Sequence, residues 1–244
     1  MATNLMENAQ RIGRIISAIP KLENVSDLAT LESLVTTITH DAGFDWFACS
    51  VIRPTSLARP DLTIISNVPN EWRERYSRDG LVTLDPVVAA ARTQIQPIFW
   101  QRVRAHDEQM QVMDAAYTMG LRDGVSFPLR GPNGERGALS FIRDAVGVDD
   151  GQRVSLGAVA PYVMDAMIRC SKSDDRHTLS PTEQRCLFWA AAGKTTEEIG
   201  IIIDMPARTV THHIKLAVRK LGATNRDQAV AYAALRGLIR PGLF

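Results

Sequence analysis

The sequence predicts an α+β protein: an N-terminal α/β/α sandwich around an antiparallel sheet, followed by a small all-α unit of four helices. Three observations carry this expectation. Short aromatic and β-branched segments lie between amphipathic helices without regular βαβ alternation, which argues for helices packed on an antiparallel sheet. The run Ser171-Lys172-Ser173-Asp174-Asp175-Arg176 contains no apolar residue and reads as a linker. Beyond that run the pattern is helical throughout and the charge balance changes sign. The predicted domains are therefore 1–170 and 177–244, joined by 171–176.

In chain order, residues 4–19 and 26–42 have helical apolar spacing, the second segment capped by Ser26. Phe44 to Ile52 and Asp61 to Ser66 read as strands. Asn70 to Ser77 is a short helix, and Asp85-Pro86 opens an Ala-rich one that ends before Pro97. Asp107 to Met119 is a helix closed by Gly120. Gly124 to Arg130 and Arg136 to Arg143 are strands, and Asn133-Gly134 between them predicts a tight hairpin. Pro128 suggests an edge or bulge in the first of the two. Asp149 or Asp150 caps a long helix to about Cys170. On its Val154–Ile168 part, Leu156, Val159, Val163 and Met167 form a stripe that is a candidate for dimer packing.

The C-terminal pattern is sharper. Ser180, Pro181 and Glu183 have the spacing of a capping box with proline in the first turn. Gly193 ends that helix, and Thr195 or Thr196 caps the next, which should turn Ile199, Ile202 and Ile203 inward. Asp204-Met205-Pro206 breaks the chain. In the helix that follows, Val210, Ile214, Ala217, Val218 and Leu221 make an apolar stripe. The other face presents Arg208, Thr211, His212, Lys215, Arg219 and Lys220, with no acid. A fourth helix, Arg226 to Arg236, packs with Ala229, Val230, Ala233 and Ala234, and is a second candidate for dimer packing. Support helix, short helix, tight turn and basic helix together make a helix-turn-helix.

Composition narrows the function. The 244-residue chain is 45% apolar and 23% charged, as in soluble globular proteins. It has no apolar run long enough to span a membrane and no signal-peptide core at its start, so a cytoplasmic location is expected. Cys49, Cys170 and Cys186 have no metal-ligand spacing. From His177 onward nine basic residues face five acidic ones, whereas the rest has nineteen against twenty-two. Only the C-terminal part has the positive excess of a nucleic-acid binder, and its modest size favours two copies acting together. No nucleophile elbow, phosphate loop or zinc-protease motif is present. Adjacent His212 and His213 would point about 100° apart on a helix, a poor metal pair. Neither an enzyme nor a cofactor is expected.

The runs L-S-P-T-E, G-K-T-T-E-E-I, T-V-T-H-H, R-K-L-G-A and N-R-D-Q-A-V, over roughly 178–239, closely resemble the DNA-binding domain of LuxR-type transcription factors. The resemblance implies double-stranded DNA as partner, with Thr211 and Lys215 facing bases. It places Lys194, Thr195 and Arg219 near phosphates, with Arg208, Thr209 and His212 on the same DNA-facing surface. It also implies a homodimer on a near-palindromic site, and RNA polymerase as a further partner if the protein activates.

Farther upstream, W-R-E-R-Y, L-D-P-V-V, P-I-F-W, D-G-V-S-F-P-L and G-A-L-S, best matched over 68–140, resemble the autoinducer-binding domain of the same family. The implied ligand is an N-acyl homoserine lactone. By this resemblance Trp72 would donate its indole N–H to the lactone carbonyl and Asp85 would accept the ligand amide N–H. Tyr76 and Trp100 would wall the pocket, Gly124 would permit close packing, and Ser140 would bond the acyl carbonyl. From the residues alone, Asp85 in its apolar surroundings must either cap the Pro86 helix or accept a bond from a buried donor. The sequence departs from the family at Val68, where a tyrosine is usual. Either Ser140 or Ser126 then carries the acyl-carbonyl bond, or the acyl group is not a simple straight chain. Two alternatives are a ligand-independent dimeric repressor and a sensor of a different small acyl ligand. A phosphorylated response regulator would need a βα alternation that the first half lacks.

Overall fold

Side-chain alternation decides which way each strand of the N-terminal half faces. In β1 (Trp46–Arg53), Phe47, Cys49 and Val51 are buried on one side, while Trp46, Ala48 and Ser50 point to the other. The computed structural model describes residues 2–55, 60–171 and 179–240. The expected linker, apart from Ser171, lies outside them. The chain divides into two units, Met1–Ile52 with Leu62–Gly131 and Arg136–Ser171, and Arg53–Asp61 with Pro132–Glu135 and Lys172–Phe244.

In the first unit β1, β2 (Asp61–Ser66), β3 (Ile98–Phe99), β4 (Asp123–Arg130) and β5 (Arg136–Arg143) form a five-stranded sheet of order β2-β1-β5-β4-β3. The β1–β5, β5–β4 and β4–β3 pairs are antiparallel. On one face lie α1 (Ala2–Ser17), α2 (Ile19–Asn24), α3 (Leu28–Asp41) and α7 (Asp150–Cys170). Their core joins Ile15, Leu22, Leu31 and Val35 to Phe47, Phe127, Leu139 and Phe141 of the sheet. On the other face α4 (Asn70–Arg78), α5 (Pro86–Thr93) and α6 (Asp107–Thr118) pack on Ala48, Ala138 and Ile142. The α/β/α sandwich is as predicted.

Several local expectations change. Asp27, not Ser26, caps α3, its carboxylate accepting from the Thr30 N–H at 2.8 Å. The first helix stops at Ser17, and a separate α2 starts at Ile19 with Pro20 in its first turn, a position proline favours. The β4–β5 connection is longer than a two-residue turn. Arg130 pairs with Arg136, and 131–135 loop out between them, with the Asn133 N–H donating to the Glu135 carboxylate at 2.7 Å. Pro128 sits beyond the reach of β3, which pairs only with Val125 and Ser126, so its missing N–H costs no ladder bond on that flank. Asp149 and Gln152 close the capping box of α7.

The proposed dimer stripe on α7 is core. Leu156, Val159, Val163 and Met167 are fully buried within this chain, and truncating Leu156 to Ala should cost about 3 kcal/mol. Beyond Asp150 in its first turn, α7 leaves exposed the opposite flank, Val154, Ala158, Pro161, Tyr162 and Asp165.

The second unit contains α8 (Pro181–Ala191), α9 (Thr196–Ile203), α10 (Ala207–Lys220) and α11 (Arg226–Leu235). Both expected capping boxes form, Ser180 with Glu183 and Thr195 with Glu198. Cys186, Ile199, Ile203, Val210 and Ile214 make one core, and Leu187, Ala217, Leu221, Ala229 and Ala233 another. Ile202, expected inside, is 40% exposed, because α9 is a short helix that turns only Ile199 and Ile203 inward. Ala234 is likewise exposed. Between α9 and α10 the chain turns at Asp204, whose φ of 54° is left-handed. A Cβ on Gly200 would lie 2.5 Å from the Met205 carbonyl oxygen, so only glycine lets the turn fold back this closely.

Candidate functional site

Every residue expected to meet a ligand lies on the α4–α6 side of the sheet. Val68 follows β2, Trp72 and Tyr76 share one face of α4, Asp85 caps α5, and Trp100 opens a turn after β3. Val68 and Trp72 are buried in an apolar cluster with Val112, Ala115, Leu121 and Ile142. Tyr76, Leu81, Leu84 and Trp100 pack against the same cluster. The Trp72 and Tyr76 rings are 5.6 Å apart and tilted, as their i, i+4 spacing on one helix requires.

Asp85 fulfils both of the roles that its sequence context left open. One carboxylate oxygen accepts the Val87 and Val88 N–H groups at 2.7 and 3.3 Å, capping α5. The other accepts the Tyr76 hydroxyl at 2.8 Å. Burial pushes the carboxyl above its ordinary pKa, although the Tyr76 hydroxyl and the two N–H groups pull the other way. Burial, together with the Asp85 charge, also raises the phenol of Tyr76, so it stays protonated and donates. A carboxylate offers about four acceptor positions, so with three donors in place one further donor can be met.

Trp100 is more than a wall. Its indole N–H donates to Ser126 Oγ at 2.9 Å, and Ser126 Oγ lies 2.7 Å from Ser140 Oγ across the β4–β5 pair. Gly124 makes room for the ring. A Cβ there would sit 2.6 Å from the Phe141 carbonyl oxygen and 3.1 Å from the indole. Sequence reasoning missed the Tyr76–Asp85 bond and the Trp100–Ser126 bond. The signal available was a phenol, an indole and a carboxylate set among apolar residues, each needing a partner once buried.

In the second unit α10 has the expected two faces. Val210, Ile214, Ala217 and Leu221 are buried, while Arg208, His212, Lys215 and Arg219 are exposed. Thr209 and Thr211 lie at the margin, and the Thr211 hydroxyl donates back to the Ala207 carbonyl at 3.0 Å. Fourteen residues make a rod about 21 Å long, a size the major groove of DNA admits. Lys220 leaves the basic face, because its ammonium lies 2.8 Å from Glu183, the buried carboxylate of the α8 capping box. Burial opposes the Glu183 charge, but the Lys220 ammonium and the Ser180 N–H outweigh it and hold the carboxyl below its usual pKa. Lys194 and Thr195 stand together at the start of α9. Thr195 caps the helix, and the Lys194 ammonium is 3.7 Å from Glu198.

Comparison with known proteins covers both units. Residues 27–167 match the family model of the autoinducer binding domain, and residues 177–233 match that of the LuxR family of bacterial regulatory proteins. The transcriptional activator protein AhyR of Aeromonas hydrophila is 33% identical over 243 residues, covering 94% of each chain. The transcriptional activator protein LuxR of Aliivibrio fischeri is 30% identical over 244 residues, covering 96% of each. Among solved structures, SdiA in complex with octanoyl-rac-glycerol superposes with a TM-score of 0.78 at 23% identity, over 93% of this chain and 96% of that one. A sandwich with a polar cluster on one sheet face, a basic helix-turn-helix, and these matches across both together place the chain in the LuxR family of transcriptional regulators, with an autoinducer-binding domain ahead of its DNA-binding domain.

Proposed function

We propose that the chain binds an N-acyl homoserine lactone within residues 1–170 and, as a homodimer, a near-palindromic DNA site through residues 177–244. One observation carries the ligand assignment. Asp85, half-buried and bonded to Tyr76 of α4, already holds three donors and has an acceptor position left for an amide N–H. Trp72 supplies an indole N–H for the lactone carbonyl, Tyr76 and Trp100 enclose the head group, and Ser140, backed by Ser126, meets the acyl carbonyl. A charged acceptor bond contributes about 1.5–3 kcal/mol, and each buried acyl methylene ~0.8 kcal/mol. Chain length then sets affinity while the polar groups select the head.

On DNA, Thr211 and Lys215 read bases, and Lys194, Thr195, Arg208, Thr209, His212 and Arg219 hold the backbone. The work is binding and not catalysis, it takes place in the cytoplasm, and if the protein activates, RNA polymerase is its further partner. Among the described residues no helix is long and apolar enough to cross a membrane.

The test is to purify the chain from cells fed a mixture of acyl-lactones and to identify released ligand by mass spectrometry. A lactone recovered in stoichiometric amount is the expected result. A second reading, a different small acyl ligand, draws on the octanoyl-glycerol complex of SdiA and on Val68. Recovery of an acylglycerol in place of lactone would establish it. A stable chain with no ligand, indifferent to every lactone, would support a repressor that uses this domain only for assembly.

A further inference from the structure

Counting protons along the Trp100–Ser126–Ser140 line decides its direction. An indole N–H can only donate, so at 2.9 Å Ser126 Oγ must be its acceptor. Ser126 is fully buried, and its own hydroxyl proton needs an acceptor in turn. Among the described residues the acceptor within reach is Ser140 Oγ, 2.7 Å away. The opposite order, Ser140 donating to Ser126, would bring two donors to one oxygen and strand a buried proton. The order is therefore Trp100 to Ser126 to Ser140, which leaves the Ser140 proton uncommitted.

Register shows where that proton can go. Ser140 sits opposite Ala48 and Ser126, and shares its face of β5 with Ala138 and Ile142. Ile142 belongs to the cluster that holds Val68 and Trp72, and Ala138, like Trp100 and Met113, packs against the cluster of Val87, Ala91 and Ile98. The uncommitted proton thus belongs to the face that α4–α6 cover.

We propose that Trp100 and Ser126 are positioning residues that fix Ser140 as a hydrogen-bond donor to the acyl carbonyl of the ligand. This rests on the lactone-binding function proposed for the domain, and it explains how a pocket with Val68 in place of a phenol keeps a directed donor at that carbonyl. The site then selects an acceptor at the first acyl carbon, and Trp100 acts on selection without touching that atom.

The test uses the full chain produced at graded concentrations of N-octanoyl homoserine lactone, reading the concentration that gives half-maximal soluble protein. Ser140→Ala, Ser126→Ala and Trp100→Phe should each raise it, by about three- to tenfold for one neutral hydrogen bond. Ser126→Thr, which keeps the hydroxyl, should stay near the parent. Combined with Ser140→Ala, the Ser126→Ala change should add nothing, because the relay has lost its last member. Multiplying losses in that double variant, or Ser126→Thr as poor as Ser126→Ala, would overturn the relay while leaving lactone binding intact. A parent chain that shows neither a solubility response nor a melting shift with lactone would overturn both. Trp100→Phe also loses ring area, so Ser126→Ala is the deciding variant if the former yields no soluble chain. As a signature that packing cannot mimic, the infrared stretch of a carbon-13-labelled acyl carbonyl should move in Ser126→Ala toward its Ser140→Ala position.

Discussion

At the scale of single residues, Asp85 joins two functions in one carboxylate, because capping α5 holds it in place to accept from Tyr76. Asp85→Ala should abolish lactone-induced stabilisation and remove the cap, which itself contributes about 1 kcal/mol. Asp85→Asn should be milder, since its carbonyl still accepts. The two forms should also differ with pH. The folded carboxyl of Asp85 titrates above its unfolded value, so the folded chain holds the extra proton through that interval, and stability falls as pH rises across it. Melting temperatures measured upward from about pH 4 should therefore drop more for the parent than for Asp85→Asn, and parallel curves would refute the burial argument. Val68, buried in the same cluster, gives a second residue-scale prediction. Val68→Tyr adds bulk beside the acyl group and should shift preference toward straight-chain lactones over branched or aryl ones. An unchanged ranking in ligand-induced melting shifts would mean that position 68 does not face the acyl carbon.

At the scale of elements, the proposed DNA contacts divide specificity, on α10, from affinity, at the start of α9. Lys215 is exposed near the middle of the helix, and Lys194 stands at the start of α9. Lys215→Ala should lower discrimination between operator and random DNA by about 1–3 kcal/mol. Lys194→Ala should weaken both alike and reduce the salt slope by about 1. Its contact with Glu198 is solvent-exposed and should yield readily to a phosphate. Equal losses on both DNAs for Lys215→Ala, measured by titration at several salt concentrations, would reverse the assignment. Lys220 serves the fold instead, through buried Glu183.

At the scale of the whole molecule, nine basic against five acidic residues in the C-terminal part favour two copies reading half-sites about 10 base pairs apart. With the inner stripe of α7 committed to the core, the flank that carries Val154 and Tyr162, 59% and 37% exposed, is where a second copy can pack. Tyr162→Glu should shift sedimentation from dimer toward monomer and weaken operator binding, with lactone binding retained. A dimer unaffected by the change would move the interface to α11 or elsewhere. The sequence made the helix-turn-helix legible almost to the residue, because capping boxes such as Ser180–Glu183 are encoded over four positions. Four of the five strands were legible from aromatic and β-branched enrichment, whereas β3, two residues long, is too short to leave a pattern. The role of the α7 stripe was not legible, since core and interface share the same periodicity. The five-residue β4–β5 loop was not, since Asn-Gly marks a turn without fixing its length. Nor was the Tyr76–Asp85 bond, which depends on how α4 and α5 meet.

The turn between α9 and α10 has a consequence for tolerance to change. Gly200 leaves no space at the Met205 carbonyl, and Asp204 holds a left-handed backbone that costs an ordinary residue about 1–2 kcal/mol. The joint behaves as a bracket cut to one angle, with its strain placed outside the residues proposed to meet DNA. Asp204→Gly should relax the bracket without re-aiming it, raising the melting temperature while operator preference stays the same. Gly200→Ala should pry it open, and DNA recognition should fail even though no residue that meets a base has changed. The angle of the proposed reading helix is thus set by two positions outside the residues assigned to DNA.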